Sequence, residues 1–140
     1  MVPGAFWGIA LESGRYGCGL VLDIKAGSRT QFIAGLTDWT GQAPPSTIDL
    51  SGAKCIAQGE AHLKTITAKN SLILGVIDLK AHNIYLELCR DSGDFAHGYV
   101  VQGYRTVRQV TKDDCNLPVF STWGYSVISI RANSLDESRR

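Results

Sequence analysis

A mostly β domain with minor helical content, built as a single antiparallel, strongly curved sheet or small barrel, is the fold class this sequence predicts. Three observations carry it. Two apolar runs at the N-terminus flank the turn formers Ser13-Gly14, as in a β-hairpin. Glycines recur inside that hairpin at Gly8, Gly17 and Gly19, where a residue with no side chain to pack implies strong curling, a bulge or close approach of another backbone. Further runs rich in Val, Ile, Leu, Thr and Tyr follow along the chain, punctuated by Gly, Pro, Asn, Asp and Ser. The chain has 140 residues, 44% hydrophobic and 19% charged. That is one domain's length and enough apolar mass for a core, so wholesale disorder is excluded.

The elements follow in order. With Ser13-Gly14 as a two-residue loop, Glu12 faces Arg15, Leu11 faces Tyr16, Ile9 faces Cys18 and Trp7 faces Leu20. Large apolar pairs then share the core face, while Gly8, Ala10, Gly17 and Gly19 leave a shallow, nearly bare strip on the other. A one-residue slip would exchange the faces. Arg29 to Leu36 reads as a third meander strand, and Thr37 to Ser46 as an exposed loop, because Pro44-Pro45 cannot continue a ladder. Thr47 to Lys69 is ambiguous between strand (Cys55-Ile56-Ala57) and short helix (Glu60 to Lys64). Leu72 to Ile77 is a continuous apolar run, the pattern of a central strand buried on both faces. Ile84 to Cys89, Tyr99 to Thr111 and Tyr125 to Ile130 read as further strands. The domain is expected over residues 1–132, with 133–140 a polar, frayed tail.

Charge and motifs exclude several function classes. Fourteen Lys+Arg against 13 Asp+Glu give a formal net charge of +1, so the molecule as a whole does not attract nucleic acid or anionic lipid. No stretch reaches the roughly 20 apolar residues of a membrane span, and residues 1–15 do not read as a secretion signal. A cytoplasmic location without membrane contact is the expectation. Cys18, Cys55, Cys89 and Cys115 lie more than 20 residues apart, which fits free thiols better than a zinc knuckle or redox dithiol. His62, His82 and His97 form no metal-binding pair, and neither a nucleophile elbow nor a phosphate-cradling glycine loop occurs. No catalytic residue, metal or cofactor is therefore assigned.

The weaker candidates each have a plain structural reading. Glu60 and His62 on a strand would share a face, as a general base pair needs, but equally as a solvated surface pair. Asp91 and Asp94 flank Ser92-Gly93 as turn formers do. Trp39 stands among turn formers, where an indole either folds back on the domain or meets a partner. Arg105, Arg108 and Lys112 would make a basic face with Tyr104 near enough to stack on a base, against which stands the balanced charge.

Residues 2–22, from Val2-Pro3-Gly4 through Phe6-Trp7-Gly8-Ile9 to Ser13-Gly14-Arg15-Tyr16-Gly17-Cys18-Gly19, carry a resemblance. They are similar to the opening of bacterial immunity proteins from polymorphic-toxin systems: a Pro-Gly, an apolar strand, a glycine turn with Arg-Tyr-Gly, and a second strand. Leu72 to Ile77 loosely resembles a later apolar strand of that family, and from Ala81 onward there is no likeness. The resemblance implies a mostly β fold and a protein that binds and neutralises a cognate toxin domain by occlusion. The matching residues are structural, so no toxin-binding residue transfers with them. The surface expected to meet the partner contains Asp38, Trp39, Asp91 and Asp94. The alternative is a small β-barrel module binding peptide or nucleic acid through Tyr16, Trp39, Tyr104 and Arg108, nucleic acid being disfavoured by charge. A third reading, a hydrolase or transferase, would need Glu60, His62 and Asp91 to converge.

Overall fold

The computed structural model describes residues 1–92 and 97–139. Among these, β1 (Ala5–Ala10), β2 (Tyr16–Ile24), β3 (Gln31–Gly41), β4 (Cys55–His62) and β5 (Ile73–Val76) form an antiparallel sheet in the order β4-β3-β2-β1-β5. A second antiparallel sheet has the order β6 (Leu88–Arg90), β7 (Tyr99–Gln102), β8 (Arg105–Gln109). The mostly β class stands, but neither sheet closes, and the expected single sheet or barrel is corrected to two open sheets. The reason is that β1 to β3 are apolar on both faces. Trp7, Ile9, Val21, Phe32 and Leu36 lie on one side, Phe6, Cys18, Leu20, Leu22 and Ile33 on the other. A sheet with two apolar faces is covered by layers instead of wrapping around one interior. Helices α1 (Lys64–Thr67) and α2 (Val127–Ser138) cover the first face through Ile66, Ile128 and Ala132. A 3-10 turn (Ile48–Leu50), Ile77, Ile84 and the second sheet's Tyr104 cover the other.

The hairpin is one residue out of the predicted register. Leu11 N–H donates to the Arg15 carbonyl and Gly14 N–H to that of Leu11, with Gly14 at φ +87°, so the loop is the three residues Glu12-Ser13-Gly14. Trp7 therefore pairs with Gly19 and Ile9 with Gly17. The glycines make room: a Cβ on Gly19 would lie 2.4 Å from the Trp7 ring, and one on Gly17 3.4 Å from the Ala132 methyl of α2. Trp7 also meets Phe32 edge-on, with centroids 6.0 Å apart. Large side chains oppose glycines here, and each tryptophan on the helix face lies in a gap a glycine leaves, Trp123 over Gly59 likewise.

Other segments depart from expectation for identifiable reasons. β3 runs on through Thr37 and Trp39 to Gly41, so the loop begins only at Gln42. The ambiguous stretch contains both elements, β4 and then α1. Tyr99 to Thr111 is a hairpin rather than one strand, turning at Gly103 with φ +60°. From Val127 the chain is helical, not a final strand, and the helix runs through the supposed frayed tail to Ser138. Ile128, Ala132 and Asp136, spaced by four, are its buried positions, and this periodicity overrides the β-branched start of the segment. Asp136 accepts hydrogen bonds from Ser13 Oγ (2.6 Å) and Arg15 Nε (3.1 Å), tying α2 to the hairpin loop.

The two edges of the large sheet end differently. Residues 118–123 stitch β4 to the second sheet: Glu60 N–H donates to the Ser121 carbonyl and Trp123 N–H to that of Glu60, while Arg90 N–H donates to Pro118 and Phe120 N–H to Arg90. Among the described residues β5 pairs only with β1, from Ala5 to Trp7. The run expected to be a central strand is therefore an outer one, with Leu72 75% and Val76 53% exposed. An uninterrupted apolar run fits a doubly buried strand and an apolar edge equally, and here the short β5 reaches no further partner.

Candidate functional site

Of the four residues expected to meet a partner, the three that are described fall in two places. Asp38 lies on β3, where its N–H donates to the Lys54 carbonyl and its Oδ1 accepts from the Lys54 N–H (2.8 Å). Its carbonyl accepts from the Arg139 guanidinium beyond α2. Trp39 is half-buried on the same strand, its ring lying over Gly41 and packing against the cluster around Leu20 and Leu50. Asp91 belongs to the second sheet, where its Oδ1 accepts from the Tyr99 N–H (2.9 Å) and holds the end of β6 to β7. Asp94 lies outside the described residues. Asp38 and Trp39 are thus chain neighbours, and each of the three described residues supports its own strand.

Glu60, His62 and Asp91 are engaged separately. His62 Nδ1 accepts from the Lys64 N–H (3.0 Å) and its ring stands 5.6 Å from that of Tyr125, whereas Glu60 lies beside Tyr104. The Tyr104 hydroxyl is buried without a well-formed hydrogen bond, and its pKa is pushed up by burial first and by the Glu60 carboxylate second. Arg108 is held by both oxygens of Asp114 at 2.7 Å. Of the groups offered to a base or phosphate by the alternative reading, the Tyr104 hydroxyl is thus buried and the Arg108 fork is occupied within the fold. Burial pushes the Cys18 thiol up to about 12 and those of Cys55 and Cys89 to about 11. Such thiols are overwhelmingly protonated at neutral pH and make poor nucleophiles. Cys115 is free and exposed.

What the fold does bring together is a surface on either side of the open edge. β5 covers β1 only as far as Trp7, so Gly8 to Ala10 form an uncovered length of strand. On one face a groove of about 300 Å³ is floored by Gly8 and Ala10 and walled by Tyr16, Pro44, Leu72 and Leu74. On the helix face a slot of about 380 Å³ lies between β1, Thr65 and Lys69 after α1's start, and Ser129, Ile130 and Asn133 of α2. Tyr16, named for the alternative, is the one candidate residue at this surface. Of the bare strip of small residues expected on the hairpin, Gly8 and Ala10 form the groove floor, whereas the one-residue shift in register places Gly17 and Gly19 on the helix face, opposite Ile9 and Trp7.

The uncovered backbone is partly satisfied by side chains. Leu11 bonds to Arg15, so odd residues of β1 face β2 and even ones face outward. Accordingly, the Gly8 carbonyl accepts from Ser71 Oγ (3.2 Å) and the Glu12 N–H donates to Asn133 Oδ1 (2.9 Å). Between them, Ala10 is exposed and outside the ladder with β5. Thr65, 4% exposed, is one of the residues around the slot, and its buried hydroxyl has no hydrogen-bond partner.

Among the described residues no group of three His, Cys, Asp or Glu side chains is placed to hold a metal ion, and no helix is long and apolar enough to cross a membrane. No family model matches the chain, and no curated protein or solved structure matches it. Sequence reasoning missed Ala10, Thr65 and Leu72 because the first two are ordinary residue types and the third sits in a run that looks buried. The available signal was the change from Leu72-Ile73-Leu74 to the polar Lys69-Asn70-Ser71, which marks a strand's limit at an edge.

Proposed function

We propose that this chain is an immunity-type protein that binds a cognate bacterial toxin domain and neutralises it by occlusion, without catalysis of its own. The observation that carries this reading is the apolar outer strand. Leu72, Ile73, Leu74 and Val76 are 75%, 40%, 46% and 53% exposed beside an open ladder. Exposed apolar strand edges are liabilities that soluble proteins blunt with charge, proline or a cover, unless a partner uses them. The N-terminal hairpin, which is formed over Ala5–Ile24 with its turn at Glu12-Ser13-Gly14, supports the same reading through its likeness to immunity proteins. Occlusion asks only for a complementary surface of about 800 Å² on this side, with a few buried apolar anchors, and the grooves flanking Gly8 and Ala10 extend that surface to both faces.

The test is growth of a sensitive bacterium expressing the toxin-like domain encoded beside this gene, with and without this protein. Rescue at unchanged toxin level, lost when Leu72 and Leu74 are both replaced by lysine, is the expected result. Absence of rescue by folded protein overturns the reading.

A further inference from the structure

We propose that the slot between the outer edge of β1, Thr65-Lys69 and α2 receives the C-terminal segment of a protein partner. The segment adds antiparallel to β1 as a short strand beside Ala10, with its terminal carboxylate against Lys69 and Thr65. This deepens the reading of the chain as a protein-binding module and rests on it only for the partner's identity.

The edge itself defines the mode. At about 3.3 Å per residue, Gly8 to Glu12 spans about 13 Å. Its outward groups at the two ends are already bonded to Ser71 and Asn133, which leaves Ala10 as the residue whose N–H and C=O face the slot's mouth. One residue of an added antiparallel strand, placed opposite Ala10, would take both bonds.

Direction and chain end follow from what closes the slot. β5 runs antiparallel to β1 with Ile73 opposite Trp7, and before it the chain turns away at Asn70, with φ +57°, into the α1 region. A segment antiparallel to β1 and entering past Glu12 runs toward Ser71, where the α1 to β5 link blocks its continuation along β1, so a chain end fits there. Thr65 and Lys69, four residues apart on one side of the helical turn, both line this end. Lys69 supplies a cation, and Thr65 supplies a buried hydroxyl that otherwise donates to nothing. An N-terminal ammonium at the same place would meet Lys69 as a like charge. Ser71 is not a further donor, because its hydroxyl proton is used on the Gly8 carbonyl.

Side-chain preferences are set by the remaining lining. The terminal residue, opposite Ile9, points to the helix face between Ile9, Ile128 and Ile130, the last 63% exposed, and should be apolar. Two or three residues upstream the segment passes Glu12, which favours lysine or arginine.

The probe is the peptide acetyl-Gly-Lys-Ser-Val with a free carboxylate, compared with its C-terminal amide, titrated into the full chain by calorimetry and by amide chemical shifts. The carboxylate form is expected to bind at least about tenfold more tightly and to move the Ala10 amide. Lys69→Met should abolish that difference by weakening only the carboxylate form. Thr65→Val, which removes an unpaired hydroxyl, should fold at least as stably as the parent yet bind the carboxylate form about fivefold more weakly. Equal affinities for the two forms, no binding up to about 5 mM, or shifts that spare Ala10 overturn the proposal. Toxin rescue is read independently: rescue without peptide binding sinks the slot alone, and peptide binding without rescue sinks the immunity reading alone.

Discussion

The outer strands of the five-stranded sheet, β4 and β5, meet their surroundings in opposite ways. β4 is covered: the segment 118–123 from late in the chain pairs with it at Glu60, and the Trp123 indole lies where a Cβ on Gly59 would be 2.3 Å away. β5 has four residues, pairs over part of β1 and leaves Leu72 and its neighbours in solvent. The same sheet thus has one edge closed by its own chain and one left as a template, and the closed edge also carries the second sheet. Stability should reside on the β4 side and recognition on the β5 side, which separates the two properties by mutation.

The largest stability loss is expected at the covered edge. Trp123 is 6% exposed, packs with Ile128 and Ala132 in the helix-side core, and carries Arg131 over its ring at 5.5 Å. Trp123→Ala should cost about 3–5 kcal/mol in urea denaturation. A cost under about 1 kcal/mol would show that the 118–123 segment does not hold the β4 edge.

Next in size is the tie between α2 and the hairpin. Asp136 is 2% exposed and accepts from Ser13 and Arg15, the latter 33% exposed in its side chain. Asp136→Ala should cost about 2–3 kcal/mol, less than a fully buried pair because Arg15 can rehydrate. If helix α2 were as loose as a frayed tail, the loss would fall within about 0.5 kcal/mol.

A smaller, pH-dependent effect belongs to the turn that leads from β8 toward the stitching segment. The Arg108 guanidinium, with the Thr111 N–H, holds the Asp114 carboxyl well below the usual carboxylate range. A carboxylate whose pKa is depressed on folding adds stability that is present above its unfolded value near 4, and that is lost as pH falls through the folded value. The parent should therefore lose more stability than Asp114→Asn between about pH 5 and pH 2. Identical acid slopes would remove the ion pair from the account.

Parts of the fold were legible in the sequence, but the division between the two edges was not, for physical reasons. The hairpin turn, the existence of β2 and β3 and the apolar character of residues 72–77 could be read from glycine and β-branched patterning. Register could not, because Ser13-Gly14 serves a two-residue loop and the end of a three-residue loop equally, and only packing of Trp7 onto Gly19 decides. α2 was read as a strand from Val127-Ile128-Ser129-Ile130, although its burial at Ile128, Ala132 and Asp136 is helical, because a buried aspartate breaks the apolar stripe that marks a core helix. The open edge was invisible for a different reason: exposure depends on which neighbour is absent in space, and a local apolar run holds no trace of that. Hence the expected partner surface of Asp38, Trp39, Asp91 and Asp94 was sought in turn-forming residues, whereas the apolar surface left open lies along β5 and the residue before it.

The smallest effect on stability should accompany the largest effect on recognition, and Leu72 is where the two can be told apart. At 75% exposure its side chain has little to lose from a charge, so Leu72→Lys should change unfolding free energy by no more than about 0.5 kcal/mol. The same lysine stands at the wall of the groove over Gly8 and Ala10, where a docking partner would have to desolvate it. Under the proposed function, binding of the toxin domain, measured by calorimetry, should weaken by more than about 1 kcal/mol, and any self-association through the open ladder should fall as well. Leu50→Ala, a buried change on the same sheet face at 1% exposure, supplies the opposite pattern: a loss of about 2–5 kcal/mol in stability with little change in affinity under conditions where the variant is folded. If Leu72→Lys instead destabilises the fold as Leu50→Ala does, β5 is held by contacts beyond β1 and the asymmetry of the two edges disappears; if it leaves both stability and binding untouched, the partner docks elsewhere on the molecule.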